Sequence, residues 1–151
     1  MNIDFFPIFL TIAGYVIGLG AVTVIDMHGF FGRKSSYWTQ ATIRTHKITK
    51  PLIWIGMMSA TIGSILFYRS DPFTAMRFVQ MIGACILFCN GLFLTFWVSR
   101  RLLQREKEGR DTELLPASWQ KAIMVSFLVS VVCWWGELAL FCFSLTERYG
   151  G

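Results

Sequence analysis

Four long apolar runs alternate with polar stretches along the 151-residue chain. The first, Phe5 to Ile25, has 21 residues without a charge. About 20 apolar residues in a helix cross the roughly 30 Å hydrocarbon core of a bilayer. Pro51–Tyr68 forms a second run of 18 residues, and Phe78–Ser99 a third, with Gln80 and Asn90 as its strongly polar members. The fourth, Ala122–Thr146, holds one carboxylate, Glu137. With their flanks these runs predict membrane spans at about 5–27, 51–68, 76–99 and 120–146, in one all-α, four-helix transmembrane domain covering 1–151. Because the basic residues follow the first run rather than precede it, that run is expected to be a retained span, not a cleaved leader.

The polar stretches differ in length. RSDPFTA, between the second and third runs, is short and carries the turn signal Asp71-Pro72, so those spans are expected to form a tight helical hairpin. The other two are long. DMHGFFGRKSSYWTQATIRTHKITKP opens with a turn-rich piece; from Ser36 to Lys50 it reads either as an interfacial helix or as an extension of the second span. RRLLQREKEGRDTELLPAS continues the third span as a helix that breaks at Gly109.

Charge placement then orients the chain. The first long loop has five basic residues (Arg33, Lys34, Arg44, Lys47, Lys50) and the second six (Arg100, Arg101, Arg105, Lys107, Arg110, Lys121), leaving three elsewhere (Arg69, Arg77, Arg148). Basic loops stay in the cytoplasm, which predicts a bacterial-type inner membrane with both termini on the outer side. Trp38, Trp54, Trp97 and Trp119 then fall near the cytoplasmic boundary, where tryptophan is favoured. Composition agrees: 54% hydrophobic and 15% charged residues leave too little polar surface for a water-soluble fold. The net charge of +5 suits anionic lipid headgroups. Without a soluble domain to present a basic face, nucleic acid is not expected as a partner.

Small residues mark where helices approach closely. Gly14 and Gly18 form a GxxxG pair in the first span, and Gly56, Ala60, Gly63 and Ser64 line one face of the second. Contact within the chain is the favoured reading of these faces; homo-oligomerisation or a membrane-protein partner is the alternative.

Candidate chemistry is sparse. Glu137 lies about 24 Å along its helix from Lys121, at about 1.5 Å per residue, and must be paired, hydrated or protonated. It is expected to face the bundle interior, with Arg77 as the best-placed partner and Arg69 as second; the readings are a proton relay, a ligand anchor or a structural ion pair. Asp26 ends the first span, where a negative charge at a helix C-terminus needs an offset from Arg33, Arg44 or Lys47. His28 and His46 fall at one membrane face and together suit a metal or haem iron, although their spacing is no ligand motif. The competing reading has His28 capping its helix and His46 solvated. Cys85, Cys89, Cys133 and Cys142 form no CxxC pair and read as packing residues. No hydrolase, nucleotide-binding or metalloprotease motif occurs, and no residue is singled out as catalytic.

Four spans, YVIGLG in the first, HKITKPLIWIG at the entry to the second and SVVCWWG in the fourth resemble the small membrane proteins of the HemJ and CopD-like kind. That resemblance implies a haem held by histidine. The first span has no histidine inside its apolar core, His28 coming only at its end, so no functional residue is carried over. The role expected from the residues is that of a small component acting through helix contacts, as a subunit of a larger assembly. A haem- or metal-dependent redox protein and a small proton-coupled transporter built on Glu137 are the alternatives.

Overall fold

Residues 4–150 are described by a computed structural model, and they are almost wholly helical. α1 spans Phe5–Gly32 and α2 spans Ser36–Tyr68. α3, Ala75–Phe93, passes through a π-helical turn, Leu94–Ser99, into α4, Arg100–Lys107, without a break. α5 spans Ala117–Tyr149. Four helical rods result, each long and apolar enough to cross a membrane, as in an integral membrane protein.

The rods outrun a hydrocarbon core. α2 has 33 residues, about 50 Å at about 1.5 Å per residue, against a core of roughly 30 Å. Of the two readings open for residues 36–50, the structure takes the extension of the second span. Pro51 sits inside the helix without ending it, although it cannot donate to the carbonyl one turn back. The polar half is held on both sides of its backbone. Thr42 Oγ1 donates to the Trp38 carbonyl at 2.7 Å and Thr49 Oγ1 to that of Thr45 at 3.1 Å. Thr39, Ile43, His46 and Thr49 are buried at i, i+4, i+7 and i+10, one helical face. Ile43 packs there on Val98 and Leu102, with Trp97, Leu115 and Ile123 around them.

α1 and α2 form the tightest pair. A Cβ on Gly14 would lie 2.6 Å from the Gly56 carbonyl oxygen and 2.8 Å from the Ala60 Cα; one on Gly56 would lie 2.6 Å from the Gly18 Cα. These small residues therefore bring two backbones together, and Ser59 Oγ adds a hydrogen bond to the Leu10 carbonyl at 3.0 Å. On its other side α1 meets α5. Tyr15 packs edge-on against Trp134 with centroids 6.1 Å apart, and Phe141, wholly buried, sits between Tyr15 and Phe67. α5 in turn holds α3 through a reciprocal clamp: Ser126 Oγ donates to Asn90 Oδ1 at 2.7 Å, and Asn90 Nδ2 to the Ser126 carbonyl at 3.2 Å. The tight hairpin expected of the second and third spans is not formed: α2 packs on α1 and α3 on α5, so α2 and α3 touch little beyond their turn, and a cleft opens between them.

Ion pairs close one end of the bundle. Asp71 accepts from Arg77 at 2.5 Å and from Arg148, and Arg148 lies 3.7 Å from Asp4, which also accepts from the Tyr149 hydroxyl at 2.8 Å. The beginning of α1, the α2–α3 turn and the end of α5 thus share this terminal end. At the opposite, loop end, Lys47 pairs with Glu106 at 2.8 Å and Gln40 Nε2 donates to Asp111 at 2.7 Å. α4 stops at Lys107, and Gly109 turns the chain at φ +70°, a conformation suited to glycine. Buried Arg105 pins the loop that follows, donating to the carbonyls of Glu113 at 3.1 Å and Leu114 at 3.3 Å.

Candidate functional site

Polar side chains converge inside the bundle at two places, one toward each end. Toward the loop end is a cavity of about 100 Å³ lined by Asp26 from α1, Arg33 just beyond it, His46 and Lys50 from α2, and apolar residues of the π turn and α5. Asp26 Oδ2 and His46 Nε2 are both buried without a hydrogen-bond partner among the described residues. None of the offsets expected for Asp26 reaches it. Lys47 is paired with Glu106, Arg33 donates to the Phe30 carbonyl at 3.1 Å and lies over its ring, and Arg44 forms no ion pair among the described residues.

The two histidines part ways. His28 Nδ1 lies 2.7 Å from the Val24 carbonyl one turn back, and its ring stands edge-on to Trp38 at 5.2 Å. It does not line the cavity, whereas His46 does. The expectation of a solvated His46 is therefore corrected: only 9% of it is exposed, because the phase that buries Thr39 and Ile43 also turns His46 inward. Among the described residues no three His, Cys, Asp or Glu side chains gather as metal ligands.

Toward the terminal end, the cleft between α2 and α3 is far larger, about 700 Å³. Its wall is mostly apolar, with Met57, Met58, Met81, Leu87 and Phe88 among its residues, and the buried Glu137, Gln80, Tyr15 and Trp134 lie along its base. Glu137 comes from the α5 face that also buries Trp134 and Phe141, at i−3 and i+4. It is 8% exposed and has no ion pair or hydrogen bond to another side chain among the described residues. Gln80, also 8% exposed, is one of only two residues of α3 that are buried, and its Oε1 has no partner among the described residues.

The pairing expected for Glu137 is not formed. Arg77 lines the same cleft but is committed at its mouth, to Asp71, to the Pro72 carbonyl at 2.5 Å and to the face of Tyr68 at 4.7 Å. Arg69 forms no ion pair with it either. The reason is local: the Asp71-Pro72 turn, six residues back, puts an acid at 2.5 Å from Arg77.

Two features of this site escaped the sequence reading. Gly83 leaves the space that the Glu137 carboxylate occupies, since a Cβ there would overlap Oε1 and lie 3.1 Å from Cδ. Its signal was present: a glycine in an apolar helix often marks a close approach. Cys85, Cys89 and Cys142, expected to be interior packing residues, are exposed, and the first two line the cleft. Comparison with known proteins finds no matching family model, curated relative or solved structure.

Proposed function

We propose that this chain is an integral protein of an inner-type membrane, with its long basic loops cytoplasmic, and that it binds a small amphiphilic ligand within the bilayer, anchored at Glu137. One observation carries the reading. Glu137, a residue nine-tenths buried and without a hydrogen-bond or ion-pair partner among the described residues, lies at the base of a cleft of about 700 Å³. Ligand sites are concave and mostly apolar, with a few convergent polar groups and volumes of about 300–1,000 Å³. Intramembrane acids in turn mark ligand or ion sites. The role is that of a small binding or transport component rather than of a hydrolase or nucleotide-driven enzyme, whose motifs are missing from the sequence.

The lateral opening between α2 and α3 favours a second reading, in which a partner's transmembrane helix fills the cleft and the chain acts as a subunit. Native mass spectrometry of protein released from its own membranes separates the two. A bound mass of small-molecule size, lost when Ala84→Trp fills the cleft, supports the ligand reading. A second polypeptide, lost on the same substitution, supports the subunit reading. The bare chain in both proteins would leave neither standing.

A further inference from the structure

Resting on the ligand reading, we infer that the cleft selects a lipophilic organic cation, an ammonium group on an apolar body, and that Glu137 and Gln80 receive the charged head. The argument begins with which charges are already balanced. At the mouth, two arginines face two acids: Arg77 and Arg148 against Asp71 and Asp4. That cluster is neutral and internally bonded, so it offers nothing to a charge deeper in the cleft. At the base, Glu137 has no counter-charge from any packed helix. α1 presents Tyr15, α2 presents Thr61 and Ser64, α3 presents Gln80 and Cys85, and none of these is cationic. The one cation of the cleft wall, Arg77, is taken.

Hydrogen-bond polarity points the same way. Gln80 Oε1 is a buried acceptor with no donor among the described residues, and the Glu137 carboxyl, once ionised by a bound cation beside it, is a second acceptor. Two acceptors at the base of one cleft call for a donor, and an ammonium group brings up to three N–H bonds together with the missing charge. An anion would meet Glu137 with like charge. A neutral alcohol would satisfy one acceptor and leave the carboxylate uncompensated. Tyr15 and Trp134, packed edge-on beside the carboxylate, add aromatic rings of the kind that attract cations. The rest of the ligand is specified by the wall. Met57, Met58 and Met81 are unbranched and adaptable, and such side chains accept varied apolar shapes. The selection is therefore strict for charge and loose for the apolar body.

Three compounds with one apolar cage test this: 1-adamantylammonium, 1-adamantanol and 1-adamantanecarboxylate. Each is titrated against the full chain in mild detergent. Binding is read as slowed maleimide labelling of Cys85 and Cys89, resolved by peptide mass spectrometry, with Cys142 as the internal reference outside the cleft. The ammonium compound is expected to protect Cys85 and Cys89 at concentrations at least tenfold below the other two. Glu137→Gln should erase that advantage, while Glu137→Asp retains part of it. The ligand series on the unaltered chain decides the matter by itself should Glu137→Gln not fold. Equal protection by alcohol and ammonium, or an advantage that survives in Glu137→Gln, would overturn the charge inference and leave the cleft as a ligand site. Protection by none of the three would count against the cation inference and the ligand reading together.

Discussion

Gly56 is where one added methyl group asks most of the fold. In Gly56→Ala the new Cβ would stand 2.5 Å from the Gly18 nitrogen, 2.6 Å from the Gly18 Cα and 2.7 Å from the Gly14 carbonyl oxygen. All three are backbone atoms of α1, so no rotamer change relieves them. Ordinary contact begins at 3.4 Å, and the two helices must part by roughly 1 Å at their closest point. Parting strips van der Waals contact from the neighbouring turns and stretches the Ser59–Leu10 hydrogen bond, now 3.0 Å. Overpacking a tight interface costs about 1–3 kcal/mol, and the absence of a movable side chain puts this site at the upper end. The assay is unfolding in mixed micelles of mild detergent with rising dodecyl sulfate, followed by loss of helical circular dichroism. Gly20→Ala on α1 is the control. Its Cβ meets nothing within 4 Å, so its effect should stay between zero and a gain of about 1 kcal/mol from helix propensity. Should Gly56→Ala cost no more than Gly20→Ala, the close approach of α1 and α2 does not hold the bundle together.

The orientation of the bundle is read from labelling: single cysteines at Ser36 and Thr112, in a cysteine-free background, should resist an impermeant thiol reagent in intact cells and react after permeabilisation. Reaction at either site in intact cells would invert the sidedness assigned from the basic loops. Asn90→Ala removes both bonds of the α3–α5 clamp and strands the Ser126 hydroxyl; a loss of about 1–2 kcal/mol in the same micelle assay is expected. A change under 0.3 kcal/mol would show that the clamp does not contribute. The histidines are checked by absorption: with His28 committed to Val24 and only His46 facing the loop-end cavity, the protein as isolated should have no Soret band. A band present in the unaltered chain and lost in His46→Ala would place a haem in that cavity.

What the chain declares by itself follows from averages over many residues. Four apolar runs of spanning length fix four rods, because in lipid the backbone must satisfy its own hydrogen bonds and a helix is the local way to do so. The turn at Asp71-Pro72 and the stop at Gly109 are equally local, since each depends on the conformational limits of one or two residues; that the helices on either side of the turn do not pack on each other is not local. The small-residue stripes Gly14–Gly18 and Gly56–Ala60 mark close-approach faces, though the sequence left open whether they meet each other or a second copy. Which groups face one another is a different kind of fact, set by the rotation of each helix about its axis and by which helices are neighbours. A residue's phase is known from sequence only relative to others on its own helix. Residues 36–50 had two open readings until Ile43 was seen against Val98 and Leu102, and only then was the burial of His46 fixed. Arg77 was assigned to Glu137 by depth alone, but the turn beside it supplied Asp71 at 2.5 Å. Gly83 carried no visible link to Glu137, 54 positions further on, until α3 was set against α5. Depth along a helix is additive in sequence and so was legible; lateral neighbourhood is a property of four helices packed at once, and only their joint packing decided it.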